Sequence, residues 1–210
     1  MKTIYLSGLL FFCVPALSQN DSVPYSKEYV FKEGLYITFD NFRTQSPVTK
    51  ERIISDLDKN DDQFISKILQ KGTLKYKDNK DSVIQIKTGK VWGYARNGIV
   101  FIFHGTGETR IMVIGSICHF SALVESPVAL QHDPYNLGSN TQPGYSQEQF
   151  ILDVQTGKVM GFNVSSMEFI LQRDPELMQA FTALSKKKKR QSIFIYLRKY
   201  NDKHPLLFPA

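Results

Sequence analysis

Between residues 73 and 164 apolar and polar positions alternate over short stretches, whereas beyond 165 the apolar positions recur every three or four residues. The first texture predicts strands, whose side chains point alternately to two faces, and the second predicts helices. Strands are expected at 73–77, 83–86, 91–94, 99–103 and 111–117, with Asp78-Asn79, Thr88-Gly89, Asn97-Gly98 and Gly105-Thr106-Gly107 as the turns between them. Turns this short leave neighbouring strands no choice but to run antiparallel. A further hairpin is expected from 149–154 and 158–164 around Gln155-Thr156-Gly157. The intervening stretch 130–146, with Asp133-Pro134, Gly138-Ser139-Asn140 and Pro143-Gly144, predicts a long surface loop.

Upstream, 34–39 alternates as a strand does and 40–47 breaks it as a turn. Phe64, Ile65, Ile68 and Leu69 make one helical face, with Asp61 or Asp62 as cap and Gly72 as stop. Downstream, Ser165 and Glu168 have capping-box spacing, and Asp174-Pro175-Glu176 supplies an N-cap, a first-turn proline and an acidic first turn. The helix so started carries Leu177, Phe181 and Leu184 on one face and is expected to end in Lys186, Lys187, Lys188, Lys189 and Arg190. Ile193, Tyr196, Leu197 and Tyr200 continue at helical spacing. The fold class is therefore α+β: an antiparallel sheet with a short N-terminal helix and C-terminal helices packed on it. Thr88-Gly89-Lys90-Val91-Trp92-Gly93-Tyr94 is echoed by Thr156-Gly157-Lys158-Val159-Met160-Gly161-Phe162, which predicts two similar hairpins built on shared turn chemistry.

The first eighteen residues change the picture. Lys2, the apolar run from Leu6 to Val14 and the small-residue pattern Ala16-Leu17-Ser18 are the three parts of a signal peptide, with cleavage expected after Ser18. A membrane anchor needs ~20 apolar residues, and Pro15 ends this run too soon. Lipidation at Cys13 is disfavoured by Phe11 and Phe12, which stand where small residues are wanted. The expectation is an exported protein, periplasmic, cell-surface or secreted, with residues 19–32 as a flexible lead-in and 33–210 as a single α+β domain. Loss of the leader leaves Cys118 as the sole cysteine, so no internal disulfide forms. Its apolar surroundings predict a buried, inert thiol.

Composition is that of a folded chain, 42% apolar and 22% charged. Charge is uneven: residues 19–165 hold 16 basic and 16 acidic side chains, residues 166–210 hold 9 and 4. The positive excess therefore lies at the C-terminal end, where an anionic partner would be attracted. Its densest part is the run Lys186, Lys187, Lys188, Lys189 and Arg190, the candidate anion-binding site, for which an envelope lipid or glycan is the expected class of partner. A solubilising end that complements the helix dipole explains the same run without any partner. Export and the neutral first part of the mature chain argue against nucleic acid.

Patterns with a defined chemistry are incomplete. Asp56-Leu57-Asp58-Lys59-Asn60-Asp61-Asp62 spaces oxygen ligands as a calcium loop does, but Asp61 replaces the turn glycine and Lys67 the bidentate acid, so a solvated acidic turn is expected. His104, His119, His132 and His204 are too scattered for a zinc motif. Ser116 lacks the second glycine of a nucleophile elbow, and Cys118 and His119 must face opposite sides of a strand. Gly105-Thr106-Gly107-Glu108 is followed by a strand, not by the helix a phosphate loop needs. Trp92, Tyr94, Phe101 and Phe103 are expected mostly in the core. No cofactor or catalytic residue is assigned. A non-enzymatic extracytoplasmic binding domain is the expected function, with a secreted hydrolase whose carboxylates or histidines converge in the fold as the alternative.

Three runs are distinctive as a set: Glu33-Gly34-Leu35-Tyr36-Ile37-Thr38-Phe39-Asp40-Asn41-Phe42, Val91-Trp92-Gly93-Tyr94-Ala95-Arg96-Asn97-Gly98, and Tyr196-Leu197-Arg198-Lys199-Tyr200-Asn201-Asp202-Lys203-His204-Pro205. In these the chain resembles a family of uncharacterised exported proteins common in Bacteroidota. The resemblance spans most of the mature chain; it implies export and carries no activity.

Overall fold

Tight turns do run the middle of the chain back and forth. The computed structural model describes residues 22–126 and 144–209. In chain order these form β1 (Ser22–Pro24), β2 (Gly34–Tyr36), α1 (Phe39–Arg43), α2 (Phe64–Gln70), β3 (Thr73–Lys77), β4 (Val83–Lys87), β5 (Gly93–Arg96), β6 (Ile99–His104), β7 (Gly107–Val113), β8 (Ile117–Ser126), β9 (Gly144–Asp153), β10 (Lys158–Gly161), α3 (Val164–Leu171), α4 (Pro175–Thr182), α5 (Lys186–Lys203) and β11 (Leu207–Pro209). Seven strands make the main antiparallel sheet, in the order β10-β9-β8-β7-β6-β5-β2. Asn97 and Gly98, at φ of 51° and 72°, make the two-residue turn between β5 and β6, a geometry that asparagine and glycine adopt at least cost.

Alternation along the strands divides the core. Cys118, Phe120, Ala122, Leu152, Ala95 and Ile102 face one side, covered by Phe31, Phe42, Leu206 and Phe208. Their strand neighbours Ile117 and Ile151 face the other, under Met167, Ile170, Leu171, Phe181 and Leu197 of the C-terminal helices. Tyr94, also on that second face, lies with Leu35 under α2 and the β3–β4 hairpin. The α+β class and the docked C-terminal helices are thus as expected: Phe181 is fully buried and Leu177 and Leu184 pack beside it. Cys118 is fully buried, and burial pushes its thiol up to about 12, so the inert reading stands.

Several boundaries differ, each for a local reason. The strand expected at 34–39 stops at Tyr36, because Thr38 and Asn41 exchange a reciprocal capping box that starts α1 where a turn was expected. The stretch 111–117 is not one strand but the end of β7, a break at 114–116 and the start of β8, since β7 pairs with β8 through an irregular register at Ile111 and Val113. Strands β3 and β4 form a separate two-stranded sheet, with a single bridge from Ile53 to Tyr76, rather than joining the main sheet. The two echoed segments part company: Gly157, at φ 73°, closes the β9–β10 turn, whereas Thr88–Lys90 is a turn of 3-10 helix and β5 begins only at Gly93. From Ser22 on, the expected lead-in is anchored, as β1 pairs with β11 and Phe31 is only 2% exposed. The leader 1–18 lies outside the described residues, as does the expected loop up to 143; its last three residues already belong to β9.

Candidate functional site

The cationic run begins a helix instead of ending one. Ala183 closes α4, and Ser185, whose Oγ accepts from the Lys188 amide at 3.4 Å, starts α5 at Lys186. This corrects the expectation that the five cations close the helix of Leu177, Phe181 and Leu184. Its consequence is electrostatic: the N-terminus is the positive end of the helix dipole and prefers acids, yet the first turn of α5 carries none. Dipole complementation therefore does not account for the run.

The five cations have different surroundings. Lys189 is only 17% exposed, donates to Glu168 of α3 at 2.7 Å and lies 5.5 Å from the centre of the Phe181 ring, so it fastens α5 to α3 and α4. Lys187 and Lys188 are exposed on the outer side. Lys186 and Arg190, one helical turn apart, line a cleft of about 650 Å³ with Phe162, Asn163, Val164, Ser165, Ser166 and Ile193. Neither has an acidic partner among the described residues.

The opposite wall is the beginning of α3. Its cap is Asn163, whose Oδ1 accepts from the Ser166 amide at 3.0 Å, and not the expected Ser165 with Glu168, which Lys189 occupies. Phe162 is held behind the cleft by Phe194 and His119, with ring centres 4.6 and 5.0 Å away. His119 is buried and meets Gln149 Oε1 at 3.2 Å; burial lowers its pKa from the ordinary histidine value, which disfavours a positive charge behind the wall. The cleft joins a cationic edge, the positive end of α3, two serines and an apolar floor, and among the described residues no carboxylate lines it. Nothing in Phe162 or Asn163 marked them as site residues; the legible signal was Ser185, a capping residue placed directly before the run.

A second cleft, of about 440 Å³, lies among Arg43, Ser116, Asp153, Arg173, Tyr200 and His204. Its ionisable groups hold the fold. Asp153, 1% exposed at the end of β9, accepts two bonds from Arg173 at 3.0 and 2.6 Å, one from Thr156 Oγ1 at 2.7 Å and one from the Gln155 amide at 3.1 Å. Nearby Asp174 caps α4 through the Leu177 amide at 3.1 Å and takes Lys203 at 3.0 Å and His204 Nε2 at 2.8 Å, which ties the start of α4 to the end of α5. Ser116 Oγ donates to the main-chain carbonyl of His204 at 2.5 Å, so it is not aligned on the imidazole as a nucleophile is on its base.

These acids predict acid sensitivity. Burial raises the Asp153 pKa, but the Arg173 and Thr156 bonds outweigh it and hold the carboxyl below the usual aspartate range; the Leu177 amide, then His204 and Lys203, do the same for Asp174 against a smaller effect of burial. A folded pKa below the unfolded one contributes stability that is present above the unfolded value, about 3.9, and is lost as pH falls through the folded one. Urea midpoints should therefore fall as pH is lowered from 5 towards 2, and Asp174→Asn should flatten that fall. An unchanged slope in the variant would contradict the assignment.

The remaining sequence candidates lie apart. The Asp56–Asp62 segment is a solvated turn as expected, with Asp56 on Lys71 at 2.5 Å, Asp61 on Lys67, and Asp58 on the Asn60 amide at 2.9 Å. Asp61 bonds the Gln63 amide at 2.8 Å, but Gln63 is the residue in the cap position of α2, so neither expected aspartate caps it. His104 packs on Phe120 and Phe150, and His132 lies outside the described residues. Of the four sheet aromatics Tyr94 is buried, Trp92 and Phe101 are partly so, and Phe103 is 37% exposed. Among the described residues no three histidine, cysteine or acidic side chains gather as a metal site, and no helix is long and apolar enough to cross a membrane.

No curated protein and no solved structure matches the chain. A family model described as a family of unknown function (DUF6563) matches residues 143–204, the stretch of β9, β10 and helices α3 to α5 that supplies all the described residues lining the cationic cleft.

Proposed function

We propose that this chain is an exported, non-enzymatic binding protein whose ligand is anionic and sits in the cleft between α3 and α5. Lys186 and Arg190 carry the reading: among the described residues they have no acidic partners and face a cleft that no acid lines, and they are set at the helix end that disfavours them. The leader read at 1–18 supports export, and an envelope lipid or glycan is the matching partner class. For the hydrolase alternative the second cleft offers Asp153, with Asp174 nearby. Both are already engaged, by Arg173 and by Lys203 and His204, which favours a structural role for them.

Co-sedimentation with phosphatidylglycerol vesicles and binding to dextran sulfate test the proposal. At low salt the protein should bind at least one of them, and ~1 M salt, where the Debye length is about 3 Å, should abolish binding. The double variant Lys186→Gln, Arg190→Gln should weaken binding at least about tenfold, while Lys187→Gln, Lys188→Gln, equal in charge removed, should weaken it much less. Equal losses in the two variants would reduce the feature to bulk charge. Absence of binding to both probes would overturn the proposal.

A further inference from the structure

An inorganic anion would use only part of this cleft. At about 650 Å³ the cavity falls in the range of sites for small organic molecules, roughly 300 to 1,000 Å³. A phosphate group between Lys186 and Arg190 would leave Phe162, Val164 and Ile193 against water. The wall they form is a prepared one, since Phe162 is wedged against Phe194, and His119 lies 4.7 Å from Phe194 behind both. An apolar surface fixed beside a cationic edge matches a ligand with the same division along its length.

Resting on the anion reading, we infer that the cleft takes a single amphiphilic anion: its phosphate head between Lys186 and Arg190, near the start of α3, and its alkyl part against Phe162, Val164 and Ile193. Charge complementarity selects the head and apolar area selects the tail. A polyanionic glycan fits less well, because its repeated charges need a track of cations. Here Lys189 is committed to Glu168, and Lys187 and Lys188 lie outside the cleft lining. A peptide carboxylate would fill the head position only.

Titration calorimetry of the full mature chain separates these possibilities, with dodecyl phosphate at monomeric concentration, inorganic phosphate and dodecyl maltoside as probes. Dodecyl phosphate should bind one to one and at least about tenfold tighter than inorganic phosphate, the gain expected from burying two or three methylenes. Dodecyl maltoside, with the same tail and no charge, should bind far more weakly. Ile193→Ser should cut dodecyl phosphate affinity several-fold and leave inorganic phosphate unchanged, whereas Lys186→Gln, Arg190→Gln should reduce both. Equal affinity for the two phosphates would overturn the amphiphile while leaving the anion reading intact. Dodecyl maltoside binding as tightly as dodecyl phosphate, or loss of neither phosphate in the double variant, would overturn both.

Discussion

Phe42→Ala should lower the unfolding free energy by about 3 to 5 kcal/mol, the usual cost of truncating a fully buried phenylalanine. Phe42 is 0% exposed and its ring meets Phe31 at 6.0 Å, Tyr36 at 5.6 Å, Trp92 at 4.9 Å and Phe208 at 5.5 Å. It therefore joins α1, the segment after β1, strand β2, the residue before β5 and strand β11 over one face of the sheet. A cavity there has little means of collapsing, because each neighbour belongs to a different element. Urea unfolding checks the value, with Phe169→Ala as control: that ring is 44% exposed on α3, and its loss should cost under ~1 kcal/mol. Similar midpoints for the two variants would show that the aromatic cluster does not hold the termini.

Asp153→Ala is the second large effect, about 3 kcal/mol or more, since removing one member of a buried pair leaves the other charge uncompensated. Arg173 is 28% exposed and recovers some hydration, which puts the loss at the lower end of that class. Asp153 also bonds Thr156 and the Gln155 amide, so the β9–β10 turn loosens with it. Because Arg173 follows α3 directly, the same change should shift α3 relative to the sheet and weaken ligand binding at the cleft without touching it. Urea midpoints measure the first effect, and dodecyl phosphate affinity the second. A variant of normal stability would mean that the pair contributes nothing net.

How far the residues alone foretold this architecture depends on whether the deciding interaction was local. Asp174-Pro175 started α4 as expected because cap, proline and acidic turn are neighbours in the chain. Asn97-Gly98 likewise made its turn. The division at 114–116 had a local mark that the apolar residues around it hid: Gly115-Ser116 separates Ile111 to Ile114 from Ile117, and the break is fixed by the irregular pairing of β7 with β8 on one side and Asn201 on the other. Asn201 accepts from the Ile117 amide at 2.8 Å and returns a bond to its carbonyl at 2.9 Å, across 84 residues of chain. The cationic run was visible as a composition feature, but its place at the start of α5 turned on Ser185, whose capping role competed with cations that usually mark helix ends. Ile193 follows Arg190 by one turn of the same helix, but Phe162 and the start of α3 meet the run only in the folded state, so the cleft itself had no signature in the order of residues.

An amide-resolved NMR titration of residues 19–210 with dodecyl phosphate reads directly where an anion binds. Saturable shifts should centre on Val164, Ser165, Ser166, Lys186, Arg190 and Ile193, and should vanish in Lys186→Gln, Arg190→Gln. Shifts centred instead on Gln155, Arg173 and His204, or spread over the basic surface without saturation, would contradict it.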